Sequence, residues 1–381
     1  MCTFVGVMKN PFVLRGYAGR EYFCDRQEET QRLIGFVTNG NNVVLTAPRR
    51  MGKTDLISHV FAQPEIADHY ITIALDIYAT QSYADFVVCF GQAIVNALRP
   101  RGKAIVDQFV ALLHSLRSEI SFDINGMPVW GIGIGQGSNP ETTLDEIFHY
   151  LEAADKPCIV AIDEFQQITK YGTDAWRVEA TLRSYIQRCH NATFIYAGSQ
   201  QHLMAEMFTS QARPFYASST IMSLAPLKRD VYAQFCRNLF ERHGLQLAEG
   251  VAEAVYDRMD GVTAYMHRVM NQLFAMTRSN EPCCVASIDA AIATIVDSAA
   301  DSYNTLYYQM TEKQRSILLA VAAEGVAENV SSGAFVRKYR LHSASSALSA
   351  IKTLLDKDLV ARTGNAYSVS DKFFGLWLAT R

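Results

Sequence analysis

The sequence has little that would place it in a membrane. No apolar run in its 381 residues approaches the ~18–20 residues that a spanning helix needs, so no membrane partner is expected. Residues 1–10 hold no basic stretch ahead of their short apolar segment, so no secretory leader is expected and the protein is read as cytoplasmic. The 8 cysteines form no Cys-x-x-Cys pair, which removes the usual zinc and thiol-redox spacings. Cys283 and Cys284 are adjacent, and neighbours of that kind rarely bridge, so reduced and packed thiols are expected. There is no internal repeat and no low-complexity linker. Charge is also sparse. Charged residues make up 19% and the net charge is −3, which argues against coating nucleic acid by bulk charge and leaves room only for a local basic patch.

The hydrophobic share of 49% is that of a globular chain. The length exceeds what one compact core usually holds, so two or three domains are expected. Through the first two-thirds, short apolar runs alternate with amphipathic segments, which predicts β–α alternation around a parallel sheet. Five strands are expected, at residues 42–46, 70–77, 158–162, 193–197 and 220–224. Residues 120–137 carry Asn125-Gly126 between extended runs, a strong turn signal, and predict a β-hairpin insertion. After Pro226 the pattern turns to amphipathic helices at 230–243, 248–259, 263–278 and 287–300. From residue 311 the order becomes three helices and then two short strands, with a boundary expected near 301–310.

The first strand runs into Ala47-Pro48-Arg49-Arg50-Met51-Gly52-Lys53-Thr54, and a helix follows. This matches the phosphate-binding pattern GxxxxGK[ST] except that Ala47 replaces the first glycine. Backbone N–H groups of the loop and the helix N-terminus are expected to surround a β-phosphate. Gly52 lets the main chain approach closely. Lys53 is expected on the β- and γ-phosphates, with the Thr54 hydroxyl in the Mg²⁺ shell. Ala47 fits only if its backbone angles are not those of glycine. Asp55 places a carboxylate just past Thr54. It either points away from the nucleotide or weakens binding by repulsion.

Cys158-Ile159-Val160-Ala161-Ile162 is wholly apolar, as a buried parallel strand is, and it ends in Asp163-Glu164. Ligands of open α/β sheets bind at the carboxyl ends of strands. Asp163 is therefore expected to hold Mg²⁺, and Glu164 to orient and polarise an attacking water. The next strand ends in Gly198-Ser199-Gln200, where Ser199, with Gln200 second, is the candidate sensor of the γ-phosphate. Arg213 is a candidate arginine finger on the γ-phosphate, in cis or from a neighbouring subunit, with a surface arginine as the alternative. Arg49 and Arg50 add positive charge to the loop, for phosphate or for acids such as Glu164.

With these residues the chain resembles the archaeal-type ATPase family, a branch of the AAA+ and signal-transduction ATPase group. The resemblance spans nearly the whole chain. It rests on Pro48-Arg49-Arg50-Met51-Gly52-Lys53-Thr54, on Ile162-Asp163-Glu164-Phe165-Gln166, on Ala197-Gly198-Ser199 and on the ending Asp371-Lys372-Phe373-Phe374-Gly375-Leu376-Trp377-Leu378. It also takes in an N-terminal motif, from Asn10-Pro11-Phe12 to Phe23-Cys24-Asp25-Arg26-Gln27-Glu28-Glu29, which in the family helps enclose the adenine. Asp25 and Arg26 are thereby implied in nucleotide binding. Departures from the family pattern are Ala47, Asp55 and Thr263, the last standing in Gly261-Val262-Thr263 where a lid motif has proline. His267 and Arg268 follow on that helix, facing either the nucleotide or, more in keeping with the pattern, core and surface. The expected fold is α/β: a five-stranded parallel P-loop sheet sandwiched by helices over 1–228, an all-helical lid over 229–302 and a winged helix-turn-helix over 303–381.

In the last module, a third helix at 343–356 presents Ala347, Leu348, Ile351, Leu354 and Leu355 on one face, and residues 359–362 and 366–369 flank a turn at Thr363-Gly364-Asn365. Arg337, Lys338, Arg340, Lys352, Lys357 and Arg362 stand against only Asp356 and Asp358, so the module is locally basic. Its third helix offers Ser343, Ser345, Ser346, Ser349 and Lys352, a thin set for base readout. DNA and a protein partner are both open to such a fold. The expected activity is Mg²⁺-dependent hydrolysis of ATP to ADP and phosphate, driving a switch that repositions the winged helix. Asp55 and Thr263 motivate a second reading, a nucleotide sensor with little hydrolysis. The isolated protein is expected to be a monomer or a weak assembly.

Overall fold

The computed structural model describes residues 10–98, 120–122, 128–130 and 140–381. The chain divides into two compact units, Arg15–Leu227 and Lys228–Arg381, the second joined by the N-terminal segment as far as Leu14.

The first unit carries helices α1 (Gln27–Thr38), α2 (Lys53–Phe61), α3 (Pro64–Ala67), α4 (Tyr83–Leu98), α5 (Pro140–Glu152), α6 (Ala175–Arg188) and α7 (Gln201–Thr209). Its strands are β1 (Val43–Thr46), β2 (Ile71–Asp76), β3 (Ile120–Phe122), β4 (Pro128–Trp130), β5 (Cys158–Asp163), β6 (Ala192–Gly198) and β7 (Thr220–Ser223). Five of them form one parallel sheet in the order β2-β5-β6-β1-β7. The central strands β1 and β5 are buried along their apolar lengths, while the edge strands β2 and β7 alternate, as one covered and one open flank require. Strands β3 and β4 pair antiparallel, Ile120 opposite Trp130. The Asn125-Gly126 turn and the rest of residues 131–137 lie outside the described residues.

The second unit carries helices α8 (Arg229–Arg242), α9 (Val251–Arg258), α10 (Thr263–Met276), α11 (Ser287–Ser298), α12 (Ala300–Tyr308), α13 (Glu312–Glu324), α14 (Gly333–Lys338), α15 (Ala344–Asp356) and α16 (Lys372–Ala379). Strands β8 (Ala327–Glu328), β9 (Val360–Thr363) and β10 (Ala366–Val369) form a small sheet in the order β8-β10-β9. The third strand, only two residues long, was too short to show as a pattern in the sequence. Serine and threonine hydroxyls cap these helices: Thr311 makes a capping box with Gln314, and Ser332 and Ser343 each accept a backbone N–H from the third residue on.

One sequence expectation gains detail here and two change. Residues 301–310, read as a boundary, form most of α12, whose Tyr303, Leu306 and Tyr307 pack on the core of the winged helix. The reason is apolar periodicity continuing through the segment. Leu348, placed on the apolar face of α15, is 48% exposed, because the buried stripe runs through Ala347, Ala350, Ile351 and Leu354. Residues 10–14, assigned to the sheet domain, belong with the helices. Asn10 Nδ2 donates to Asn271 O at 2.9 Å, and Asn271 Nδ2 donates to Phe12 O at 2.7 Å. The Phe12 side chain is wholly buried against Phe240, His267 and Phe274. His267 is thus a core residue, and burial lowers its pKa to about 4. Arg268 lies over the Phe373 ring, 5.2 Å from its centroid.

The reciprocal amide clasp generates a prediction. Asn271→Ala strands the Phe12 carbonyl and is expected to cost about 1 kcal/mol of stability. Urea unfolding followed by circular dichroism measures it, and an unchanged midpoint would show that the clasp contributes nothing.

Candidate active site

Parallel register brings the chemistry to one edge. Thr46 lies opposite Gly198 and Ser223, and Asp76 lies opposite Asp163, so the loops after β1, β2, β5 and β6 leave the sheet together. The loop after β1 enters α2 through Gly52, whose φ of 86° only glycine adopts without strain. Arg50 also has a left-handed backbone, φ 69°. Ala47 keeps ordinary negative φ and is wholly buried, which explains why it can replace glycine.

Lys53 is buried at the start of α2, and its Nζ donates to the carbonyls of Ala47 at 3.1 Å and Pro48 at 3.4 Å. The ammonium therefore sits inside the loop's own curl. Burial lowers its pKa, and the charges of Asp163 and Glu164 push it back up. Thr54 Oγ1 donates to Asp163 Oδ2 at 2.5 Å across 109 residues of sequence. Asp163 Oδ1 accepts the Glu164 N–H at 2.9 Å, fixing the rotamer. Hydroxyl and carboxylate oxygens converging in this way are hard donors of the kind Mg²⁺ takes. Arg49 lies over Tyr78, 5.6 Å from the ring centroid, and Met51 is buried beneath the loop. Asp55 is half-buried, and desolvation raises its pKa.

Glu164 has a left-handed backbone, φ 55°. Its Oε2 accepts the Ser199 hydroxyl at 2.8 Å and also a short hydrogen bond from Gln166 Nε2. Gln200 caps α7 with its backbone carbonyl, which accepts the Met204 N–H at 3.1 Å. Sequence reasoning quoted Gln166 only as part of a motif. It is buried, and a Cβ on Gly198 would come within 2.6 Å of its Oε1, so the glycine makes room for it. Asp76 was missed as well. It ends β2 beside Asp163, and burial together with the nearby Asp163 and Glu164 charges raises its pKa, while the Tyr78 N–H lowers it. The signal available was its place at a strand's carboxyl end.

Two sequence candidates have protein partners of their own. Arg213, the candidate finger, pairs with the fully buried Glu179 of α6 at 2.5 Å and lies 3.8 Å from Glu206. It makes no hydrogen bond to the groups around Lys53 and Asp163. Its charge serves an interior carboxylate. Arg26 is buried, donating to Glu29 at 2.6 Å and to Ala225 O at 2.8 Å, and both it and Asp25 have left-handed backbones.

A strand, a glycine-lysine-threonine loop and an acid pair in this arrangement define a P-loop ATPase of the α/β class. The family profile described as "ATPase domain predominantly from Archaea" matches residues 23–269, and one described as "Probable winged helix domain" matches residues 301–380. The chain belongs to the archaeal-type ATPase family. Among solved structures it is similar to a Walker-type ATPase of Pyrococcus abyssi, with TM-score 0.63 and 16% identity over 97% of this chain and 99% of that one. It is also similar to the ORC2 protein of Aeropyrum pernix, with TM-score 0.59 and 12% identity over 98% and 96%. The ORC1 protein of the same organism, solved in complex with DNA, gives TM-score 0.55 and 11% identity over 95% and 93%. No curated protein matches the sequence.

The buried Glu179 generates a prediction. Desolvation raises its pKa to about 7, with Arg213 opposing. The folded state therefore binds more protons than the unfolded chain between pH ~4.5 and ~7, and stability falls as pH rises through that window. Glu179→Gln removes this titration. Thermal unfolding of the variant is expected to vary less between pH 5 and 7.5 than that of the parent, and equal slopes would refute it.

Proposed function

We propose that the chain binds Mg–ATP and hydrolyses it to ADP and phosphate, as a nucleotide-driven switch that repositions its winged-helix module. The observation that carries this reading is the 2.5 Å contact of Thr54 with Asp163 next to the buried ammonium of Lys53. Loop amides and Lys53 would grip the β- and γ-phosphates. Thr54 and Asp163 would hold Mg²⁺, which when bound draws charge from the phosphate oxygens. Glu164 would orient a water and accept its proton as the water attacks the γ-phosphorus and the bond to the β-γ bridging oxygen breaks. Ser199 and Gln166 keep the Glu164 carboxylate in one rotamer.

The reading with little hydrolysis draws support from the same two hydrogen bonds, since both fall on Glu164 Oε2 and occupy an oxygen that an attacking water would need. One experiment separates the two. Lys53→Ala is expected to weaken ATP binding at least about thirtyfold, the lower end for removing a buried charged partner. Glu164→Gln is expected to leave ATP affinity within about threefold and to cut phosphate release roughly a hundredfold or more. Equal turnover in parent and Glu164→Gln would remove Glu164 from the mechanism, and no measurable turnover in the parent would leave the sensor as the function.

The winged helix is the output of this switch, and duplex DNA is the partner proposed for it. The ORC1 relative bound to DNA supports this, and so do the exposed Arg337, Arg340, Lys352, Lys357 and Arg362. Lys338 contributes less, being paired with Glu324 at 2.6 Å. DNA binding that weakens steeply with salt, and less steeply in Arg337→Ala/Arg340→Ala, is the expected result, with a slope change of about two. No binding at low salt would turn the proposal toward a protein partner.

A further inference from the structure

Where β1 and β7 begin, at the end of the sheet remote from the phosphate loop, the first unit contains a cavity of about 260 Å³. Asn42, Arg183, Tyr196, Phe215 and Ser218 line it. Its polar groups are not satisfied by the protein. Tyr196 is fully buried, and its hydroxyl reaches no hydrogen-bond partner. Arg183 is half-buried, and its Nε is buried and equally unpartnered. Such groups are costly to leave unmade. Arg183 makes no ion pair among the described residues: Glu179, one turn earlier on α6, gives its Oε1 to Arg213, and its buried Oε2 reaches no partner. Water would satisfy the hydroxyl, whereas an anion would pair with the hydroxyl and the guanidinium together. The wall beside these groups is strained: Ala217, which also lines the cavity, holds φ at 51°.

We propose that this cavity is a binding site for a small oxyanion, the carboxylate or phosphate of a small molecule. Arg183 supplies the charge and the planar donor fork. Tyr196 donates its hydroxyl. Asn42 Oδ1 already accepts the Phe194 N–H at 2.8 Å, so the amide has only N–H groups to offer. The Ser218 hydroxyl donates to Phe215 O at 2.7 Å and presents lone pairs, which suits an occupant that also carries an O–H. The volume lies just below the roughly 300 Å³ where ordinary ligand pockets begin, so the occupant is small. One lining residue connects this remote end to the catalytic edge. The Tyr196 ring lies 4.6 Å from that of Phe165, the residue after Glu164, and Ser199 follows three residues beyond Tyr196. An anion here would bias the strand and ring that flank Glu164.

The test is calorimetric titration of the full chain with inorganic phosphate and, separately, with glycolate. Both are expected to bind. Arg183→Met is expected to weaken binding by roughly tenfold or more, as loss of a charge-assisted fork does. Tyr196→Phe keeps the ring and is expected to cost about three- to tenfold, so a misfolded Arg183→Met leaves the test standing. Lys53→Ala is expected to leave glycolate affinity unchanged. The proposal is overturned if neither probe binds the parent below about 10 mM, if Arg183→Met and Tyr196→Phe bind like the parent, or if Lys53→Ala alone abolishes glycolate binding and so moves the anion to the phosphate loop.

Discussion

The register of the parallel sheet is the constraint on which the site depends. Thr54 and Asp163 meet at 2.5 Å only because β1 and β5, separated by β6, end at the same edge. A shift of one residue in either strand would turn every side chain to the other face. The apolar runs Val43–Leu45 and Cys158–Ile162, buried on both faces, are what make such a shift prohibitive. Chemistry and core are therefore the same problem in this fold: the residues that bury the strands also aim their ends.

Charge inside the first unit is handled in two ways. Lys53 is buried beside Asp163 and Glu164, acids that face the same open edge, so its desolvation is offset by groups that also suit a ligand. Glu179 is buried deeper and has Arg213 for its own. The first cluster faces an open edge, and the second keeps its paired charges in the interior. A strongly perturbed carboxylate alone does not mark function. The direction in which its partners face does.

Much of this was legible in the residues. The phosphate loop and the acid pair are local patterns, and the five sheet strands fall within a residue or so of the apolar runs that announce them. What escaped was of another kind. Gln166 looked like an ordinary motif residue, and its grip on Glu164 needs the three-residue return from β5 into a tight turn. Asp76 ends a partly exposed edge strand with no acid beside it in sequence, and its neighbours come from β5. Arg213 showed a charge at a fitting distance along the chain, but its partner lies 34 residues earlier on a helix face. Asn10–Phe12 finds its partner 259 residues away, and no periodicity encodes that distance.

That last clasp makes the α/β unit an insertion within the helical one. A ribosome emits residue 12 long before residue 271, by roughly 13 to 50 seconds at ~5–20 residues per second. The contiguous span Arg15–Leu227 can fold during that interval, while the phenyl ring of Phe12 waits without the aromatic slot that will cover it. Until α8 and α10 assemble, the nascent chain carries an uncovered apolar ring at residue 12.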